Sequence, residues 1–280
     1  MAPRAGCGAA GRTRPDMSFE HVDFAELYRR DPGVISRAEH PPEFWDGRAA
    51  GFGERAARSE YGRQFVERMD LDGCSTLLDV GCGPGTIALA VAGRLERVYG
   101  LDYSPRMLDA FSERAKAAGH SNATPILRAW ADDWSDVPVC DVVVASRATA
   151  VRDFEAAARK LDAVAARRVY LTYPAFGTFA GDGIRRALGR PHHPLPDYLH
   201  IVGILHHLGM HPRLDYITEK GRFDGCEGFE AFVGKVRGLT GDLSGAEADV
   251  VRQYYETHRG ELAAERMRWA FISWDAAPRR

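Results

Sequence analysis

The run from Leu77 to Gly85, Leu-Leu-Asp-Val-Gly-Cys-Gly-Pro-Gly, constrains this chain more than any other stretch. An apolar segment passes straight into a loop with glycine at every second position. Glycines placed this way let the backbone turn sharply and let a ligand lie against bare main chain. A helix-like segment follows at once, so the local unit reads as strand, glycine loop and helix. A second apolar segment ends at Gly100-Leu101-Asp102. A carboxylate there can accept hydrogen bonds from both hydroxyls of a ribose. The loop and the acid together point to a nucleoside cofactor.

The surrounding pattern predicts an α/β fold. Strands are expected at 76–80, 97–102, 124–129, 139–146 and 168–173, with helices at 85–95, 104–118 and 151–165. Ser104-Pro105 offers a hydroxyl cap followed by proline in the first turn. Strands alternating with helices imply parallel pairing through right-handed crossovers. Upstream, 24–30 and most of 43–69 read as helical, with Trp45, Phe52, Tyr61 and Phe65 as apolar anchors. Beyond Phe176 the alternation stops. Residues 177–196 read as loop with a short helix at 183–188, followed by a helix at 197–208 and a strand at 213–218. Helices at 226–238 and 244–262 precede a closing strand at 266–274.

Composition narrows the class of partner. The formal net charge of −2 gives no general attraction to polyanions, which argues against a dedicated nucleic-acid binder. No apolar stretch approaches the ~18 residues of a membrane span. Cys7, Cys74, Cys82, Cys140 and Cys226 are scattered and form no Cys-x-x-Cys pair, so neither zinc nor a disulfide framework is expected, and a cytoplasmic setting is. Residues 1–16, rich in Gly, Ala, Arg and Pro, are expected to be a disordered extension.

Two cofactors compete for the glycine loop. The nicotinamide fingerprint needs glycine at its first, third and sixth positions. Counted from Gly81 the sixth position is Thr86, so a pyrophosphate is not required. The string Asp79-Val80-Gly81-Cys82-Gly83-Pro84-Gly85, with Asp102 downstream, resembles motif I of the class I S-adenosylmethionine-dependent methyltransferases. The resemblance spans roughly 44–176. It implies a Rossmann-like, mostly parallel doubly wound sheet with an antiparallel last strand, and S-adenosyl-L-methionine as cofactor. Residues 17–72 would form a helical lid and 73–280 the cofactor-binding domain. A helical insertion at about 219–265 would join the last two strands.

The same resemblance assigns roles. Gly81, Cys82, Gly83 and Gly85 would line the methionine part of the cofactor, under the positive end of the helix starting near Gly85. Asp79 would sit by the amino group, or else brace the loop. Asp102 would take the ribose diol, and Tyr103 and Met107 would flank the adenine. Ala131 and Asp132 would read the adenine edge, with Trp130 stacked on the ring or packed in the core. Ser146 ends the fourth strand and joins the cofactor-lining set. Ser146-Arg147-Ala148-Thr149 stands where methyltransferases of base or glutamine amines carry Asn/Asp-Pro-Pro-aromatic, which argues against those acceptors. Arg147 would pair with an anionic substrate or with the methionine carboxylate, or bridge loops. Phe52 would close over the sulfonium by a cation–π contact, with Arg48 near the carboxylate.

Histidines crowd at His192, His193, His200, His206, His207 and His211, but without carboxylate pairs or cysteines, so no metal is expected. His192 or His193 is the candidate general base. The acceptor is read as a small molecule. Two other readings stay open: an RNA- or protein-modifying enzyme using Arg185, Arg186 and Arg190, and a non-catalytic cofactor-binding module. Trp269, Trp274 and the 244–262 helix fit a dimer face and burial equally, so no oligomeric state follows.

Overall fold

A computed structural model of the chain describes residues 19–36, 41–47, 59–175, 181–191, 193–264 and 266–277. The expected extension 1–16 and the candidates Arg48, Phe52 and His192 lie outside the described residues. The described strands form one seven-stranded sheet in the order β3-β2-β1-β4-β5-β7-β6. They are β1 (Thr76–Val80), β2 (Arg97–Asp102), β3 (Ala123–Leu127), β4 (Cys140–Ala145), β5 (Ala165–Pro174), β6 (Arg213–Lys220) and β7 (Arg266–Asp275). Strands β1 to β5 run parallel, and β7 lies antiparallel between β5 and β6.

Alternation along the central strands supplies both faces of the core. Leu78, Val80, Val143, Ala145, Val169 and Leu171 share one hydrophobic cluster. Leu77, Val142, Val144 and Tyr170 share another. A strand buried on both faces must be apolar nearly throughout, as β1 and β4 are. The helices before β1 are α1 (Phe24–Arg30), α2 (Pro32–Ser36), α3 (Pro42–Asp46) and α4 (Glu60–Glu67). Helix α5 (Ala88–Val91) follows β1, α6 (Pro105–Ala117) follows β2, and α7 (Phe154–Val164) follows β4. Helices α8 (Asp182–Ala187) and α9 (Tyr198–His207) follow β5, while α10 (Phe229–Thr240) and α11 (Gly245–Ala264) separate β6 from β7.

One expectation needs correction. The helix expected at 85–95 is four residues of α-helix and a 3-10 turn at Ala92–Arg94, preceded by turns from Gly83 to Ile87. Proline, glycine and two β-branched residues crowd that stretch, and all are poor helix formers. Among the described residues before β1, Tyr28 and Val34 pack into the first cluster and Tyr61 and Phe65 into the second. The short helix expected after β5 is present as α8. Ile184 of α8 joins Phe223, Phe232, Val233, Val236, Val251 and Leu262 in a separate small core with the insertion.

Chain order places the crevice. From β1 the chain steps outward to β2 and β3, then returns to β4 on the other side of β1. Ligands bind where strand order reverses in this way, outside the carboxyl ends of the strands. The loops after β1 and β4 flank that point. No described helix is long and apolar enough to cross a membrane.

Candidate active site

The glycine loop is held by its neighbours. Gly81 N–H and Cys82 N–H both donate to the Leu101 carbonyl, at 2.7 and 3.1 Å. The Arg114 guanidinium of α6 donates to the Pro84 carbonyl. Gly81 has φ +65°, and a Cβ there would lie 2.4 Å from the Ala148 Cβ. The loops after β1 and β4 thus touch, and only glycine fits between them. At Gly83, with φ +51°, an added Cβ would find the Met107 sulfur 3.9 Å away as its nearest neighbour. Bare main chain there faces open space bounded by Met107, which is a cradle for a ligand.

Two buried carboxyls close the cradle. Asp102 Oδ2 accepts from Gly83 N–H at 2.8 Å and Oδ1 from Ser104 N–H at 2.9 Å. The Tyr103 N–H also bonds this carboxyl, so three backbone donors fix its orientation at the mouth of the cradle. Burial raises the Asp102 pKa, while these backbone donors pull it down. Asp79 is 1% exposed. Its Oδ2 accepts from Ala88 N–H at 3.1 Å, so it caps α5 across the loop. Its Oδ1 has no hydrogen-bond partner among the described residues. Burial, with Asp102 nearby, pushes the Asp79 pKa up to about 7. An orphaned buried acceptor of this kind is uncommon and calls for a donor, best a cationic one.

Helix α6 and the segments beside it hold the other candidate residues. Ser104 Oγ accepts from Met107 N–H at 3.1 Å and donates to Asp46 Oδ1 of α3 at 2.6 Å. Asp46 also accepts from Arg106 N–H at 3.3 Å. Met107 is buried and Tyr103 half-buried beside Asp102. Trp130 stacks on Trp134, with centroids 5.3 Å apart, at the margin of the core. Ala131 and Asp132 are exposed, and Asp132 Oδ2 accepts from Ala129 N–H at 2.8 Å. Asp132 lines a cleft of about 480 Å³ with Arg128, Asp133, Ser135 and Asp136.

On the other side of the switch point lies a hydroxyl cluster. The Tyr61 hydroxyl is 2.9 Å from Ser146 Oγ and 2.6 Å from Thr172 Oγ1. Thr172 Oγ1 accepts from Arg147 N–H at 3.0 Å, and Thr149 Oγ1 donates to the Thr172 carbonyl at 2.8 Å. The Arg147 guanidinium sits 4.3 Å from the Tyr61 ring centroid. Burial pushes the Tyr61 pKa up to about 12, so the phenol stays neutral at ordinary pH.

Sequence reasoning brought together Asp79, the glycines, Asp102 and Met107, and it missed Tyr61, Thr172, Asp46 and Arg114 as parts of the site. Tyr61 read as an apolar anchor, because a hydroxyl's partners on β4 and β5 leave no local trace. The structure does not bring His193 to this cluster: it is exposed in the segment leading to α9. His200 and His207 edge against Phe24. Among the described residues no group of three or more His, Cys, Asp or Glu is arranged to hold a metal.

The fold and cradle define a nucleoside-cofactor α/β enzyme, and comparison with known proteins identifies the domain. A methyltransferase-domain family model matches residues 77–168. The chain is 34% identical over 265 residues to an uncharacterized protein of Haemophilus influenzae, covering 92% of this chain and 98% of that one. It is 30% identical over 107 residues to the trans-aconitate 2-methyltransferase of Rhodococcus jostii, covering 37% of this chain and 38% of that one. The fold is similar to magnesium protoporphyrin IX methyltransferase from Synechocystis PCC 6803, solved with S-adenosylhomocysteine bound. The TM-score is 0.50 at 16% identity, over 80% of this chain and 83% of that one. Residues 77–168 are a methyltransferase domain, and the fold is the one shared with the class I S-adenosylmethionine-dependent methyltransferases. It is a methyltransferase, and its cofactor is S-adenosyl-L-methionine.

Proposed function

We propose that this methyltransferase acts on a small-molecule acceptor by direct in-line transfer. The cluster of Tyr61, Ser146, Arg147 and Thr172 carries this reading. It is a compact polar site beginning one residue from Ala148, which abuts Gly81. The basic loop that a polyanion would need is largely taken up within the protein. Arg190 pairs with Glu247 at 2.6 Å, and Arg185 donates to the Leu239 carbonyl. The trans-aconitate 2-methyltransferase match, though it covers 37% of this chain, is also to an enzyme named for a small acceptor.

When bound, S-adenosylmethionine supplies an activated methyl on a sulfonium, so the protein's task is position and electrostatics. In this reading Asp79 Oδ1 receives the ammonium, and main chain at Gly81, Cys82, Gly83 and Gly85 lies along the methionine chain. Asp102 holds the ribose diol, and Met107 and Tyr103 flank the adenine, with Ala131 and Asp132 at its edge. Ser146, a member of the acceptor cluster, also joins the cofactor-lining set in this reading. The test is label transfer from S-adenosyl-[methyl-³H]methionine into a cell extract divided into small-molecule and macromolecular fractions. Label in the small-molecule fraction is expected. Label confined to protein or RNA would refute the reading.

A further inference from the structure

We propose that the acceptor is a carboxylate of net negative charge and that Arg147 binds it. The inference rests on the small-molecule reading and adds the acceptor's chemical class.

Arg147 has φ +57° and is the non-glycine residue in the left-handed region among those described. A bulky side chain is rarely found there, and such outliers persist where surrounding structure fixes them. Here the fixing groups are identified. Thr172 Oγ1 receives the Arg147 N–H, Thr149 holds the Thr172 carbonyl, and Tyr61 ties Thr172 to Ser146. The backbone is pinned on both sides of the arginine. Its guanidinium is laid over the Tyr61 ring and remains exposed.

No carboxylate lies within ion-pair distance of that guanidinium among the described residues; Arg114, Arg167 and Arg252 share that state, and what distinguishes Arg147 is its pinned backbone beside the crevice. Tyr61 is no counter-ion, because burial keeps its phenol protonated. The position is also specific. Arg147 precedes Ala148, whose methyl group lies against Gly81 at the crevice. A planar guanidinium held on an aromatic face presents its remaining edge to a bidentate oxyanion. A single cation suits a singly charged carboxylate better than a dianionic phosphate.

The experiment fractionates the small-molecule acceptor activity on an anion exchanger. Activity should be retained near neutral pH and released at roughly pH 2.5, where a carboxyl with a pKa near 4 is protonated. Flow-through at neutral pH would mean an uncharged or cationic acceptor, and retention at the acidic pH would mean a phosphate or sulfate; either overturns the proposal. With the retained fraction as substrate, Arg147→Gln should raise KM at least tenfold, and Arg147→Lys should recover part of that loss. The dissociation constant for S-adenosylhomocysteine should change less than twofold in both variants. A tenfold weaker S-adenosylhomocysteine complex would instead assign Arg147 to the cofactor carboxylate and overturn the proposal. Label found only in macromolecules would remove the small-molecule reading itself, a result distinct from each of these.

Discussion

Replacing Gly81 with alanine tests whether the loops after β1 and β4 meet as described. The substitution carries two separable penalties. At φ +65° an alanine occupies the left-handed region, which costs about 1–2 kcal/mol. Its Cβ would also lie 2.4 Å from the Ala148 Cβ, an overlap that must be relieved by backbone shift. Overpacking of this kind costs about 1–3 kcal/mol. The sum, roughly 2–5 kcal/mol, should lower the melting temperature by on the order of 3–9 °C for a chain of this size. Ala148→Gly removes the methyl group that is struck. In a double-mutant cycle the pair should therefore couple favourably by about 1–3 kcal/mol, leaving the backbone penalty in place. Denaturant unfolding of the four proteins measures this. A coupling near zero would show that the two loops do not touch at these residues, and the crevice described above would lose one wall.

Asp79 should make cofactor binding depend on pH. Its folded pKa, pushed up to about 7 by burial, exceeds the ordinary value near 4, so the ligand-free protein holds this proton more tightly than the unfolded chain does. The associated stability is fully present below about pH 4 and is lost as pH rises through about 7. Asp79→Asn should abolish that loss in thermal melts of the ligand-free protein. Conversely, an ammonium needs the ionised form, so S-adenosylhomocysteine should bind up to roughly tenfold more weakly at pH 6 than at pH 8, with the dependence absent in Asp79→Asn. Asp46→Ala should cost about 0.5–1.5 kcal/mol by freeing Ser104 and Arg106 N–H, and Ser104→Ala should be non-additive with it. Tyr61→Phe keeps the ring under Arg147 but removes the hydroxyl shared with Ser146 and Thr172, and chemical denaturation should report a loss of about 1–3 kcal/mol.

The parts of this molecule legible in its sequence are those set by local pattern. Strands β1 and β2 begin and end where apolar periodicity and the flanking glycines put them. Asp102 is placed by chain spacing from the loop, and Ser104 caps α6 because a hydroxyl before proline can do little else. The helix after the glycine loop was misjudged because the apolar run Ile87–Val91 fits a helical period. The geometry is decided instead by Pro84, the glycine dihedrals and a cap from Asp79, nine residues upstream of Ala88. The hydroxyl cluster was not legible. Tyr61 meets Ser146 and Thr172 across 85 and 111 residues of chain, and only the order of strands in the sheet brings them together. The Asp46–Ser104 contact spans 58 residues for the same reason. The small core shared by α8, α10 and α11 was hidden by loop-like composition around α8, although Ile184 is its only apolar anchor facing that core until Leu188.

Calorimetric titration of S-adenosylhomocysteine into the wild-type protein and Asp102→Ala tests the central claim, that the glycine cradle and its two carboxyls hold the cofactor. Binding in the micromolar range is expected for the wild type, with at least a tenfold loss in the variant and an unchanged circular dichroism spectrum. Equal affinity in a folded Asp102→Ala protein would contradict the claim and move the cofactor away from this crevice.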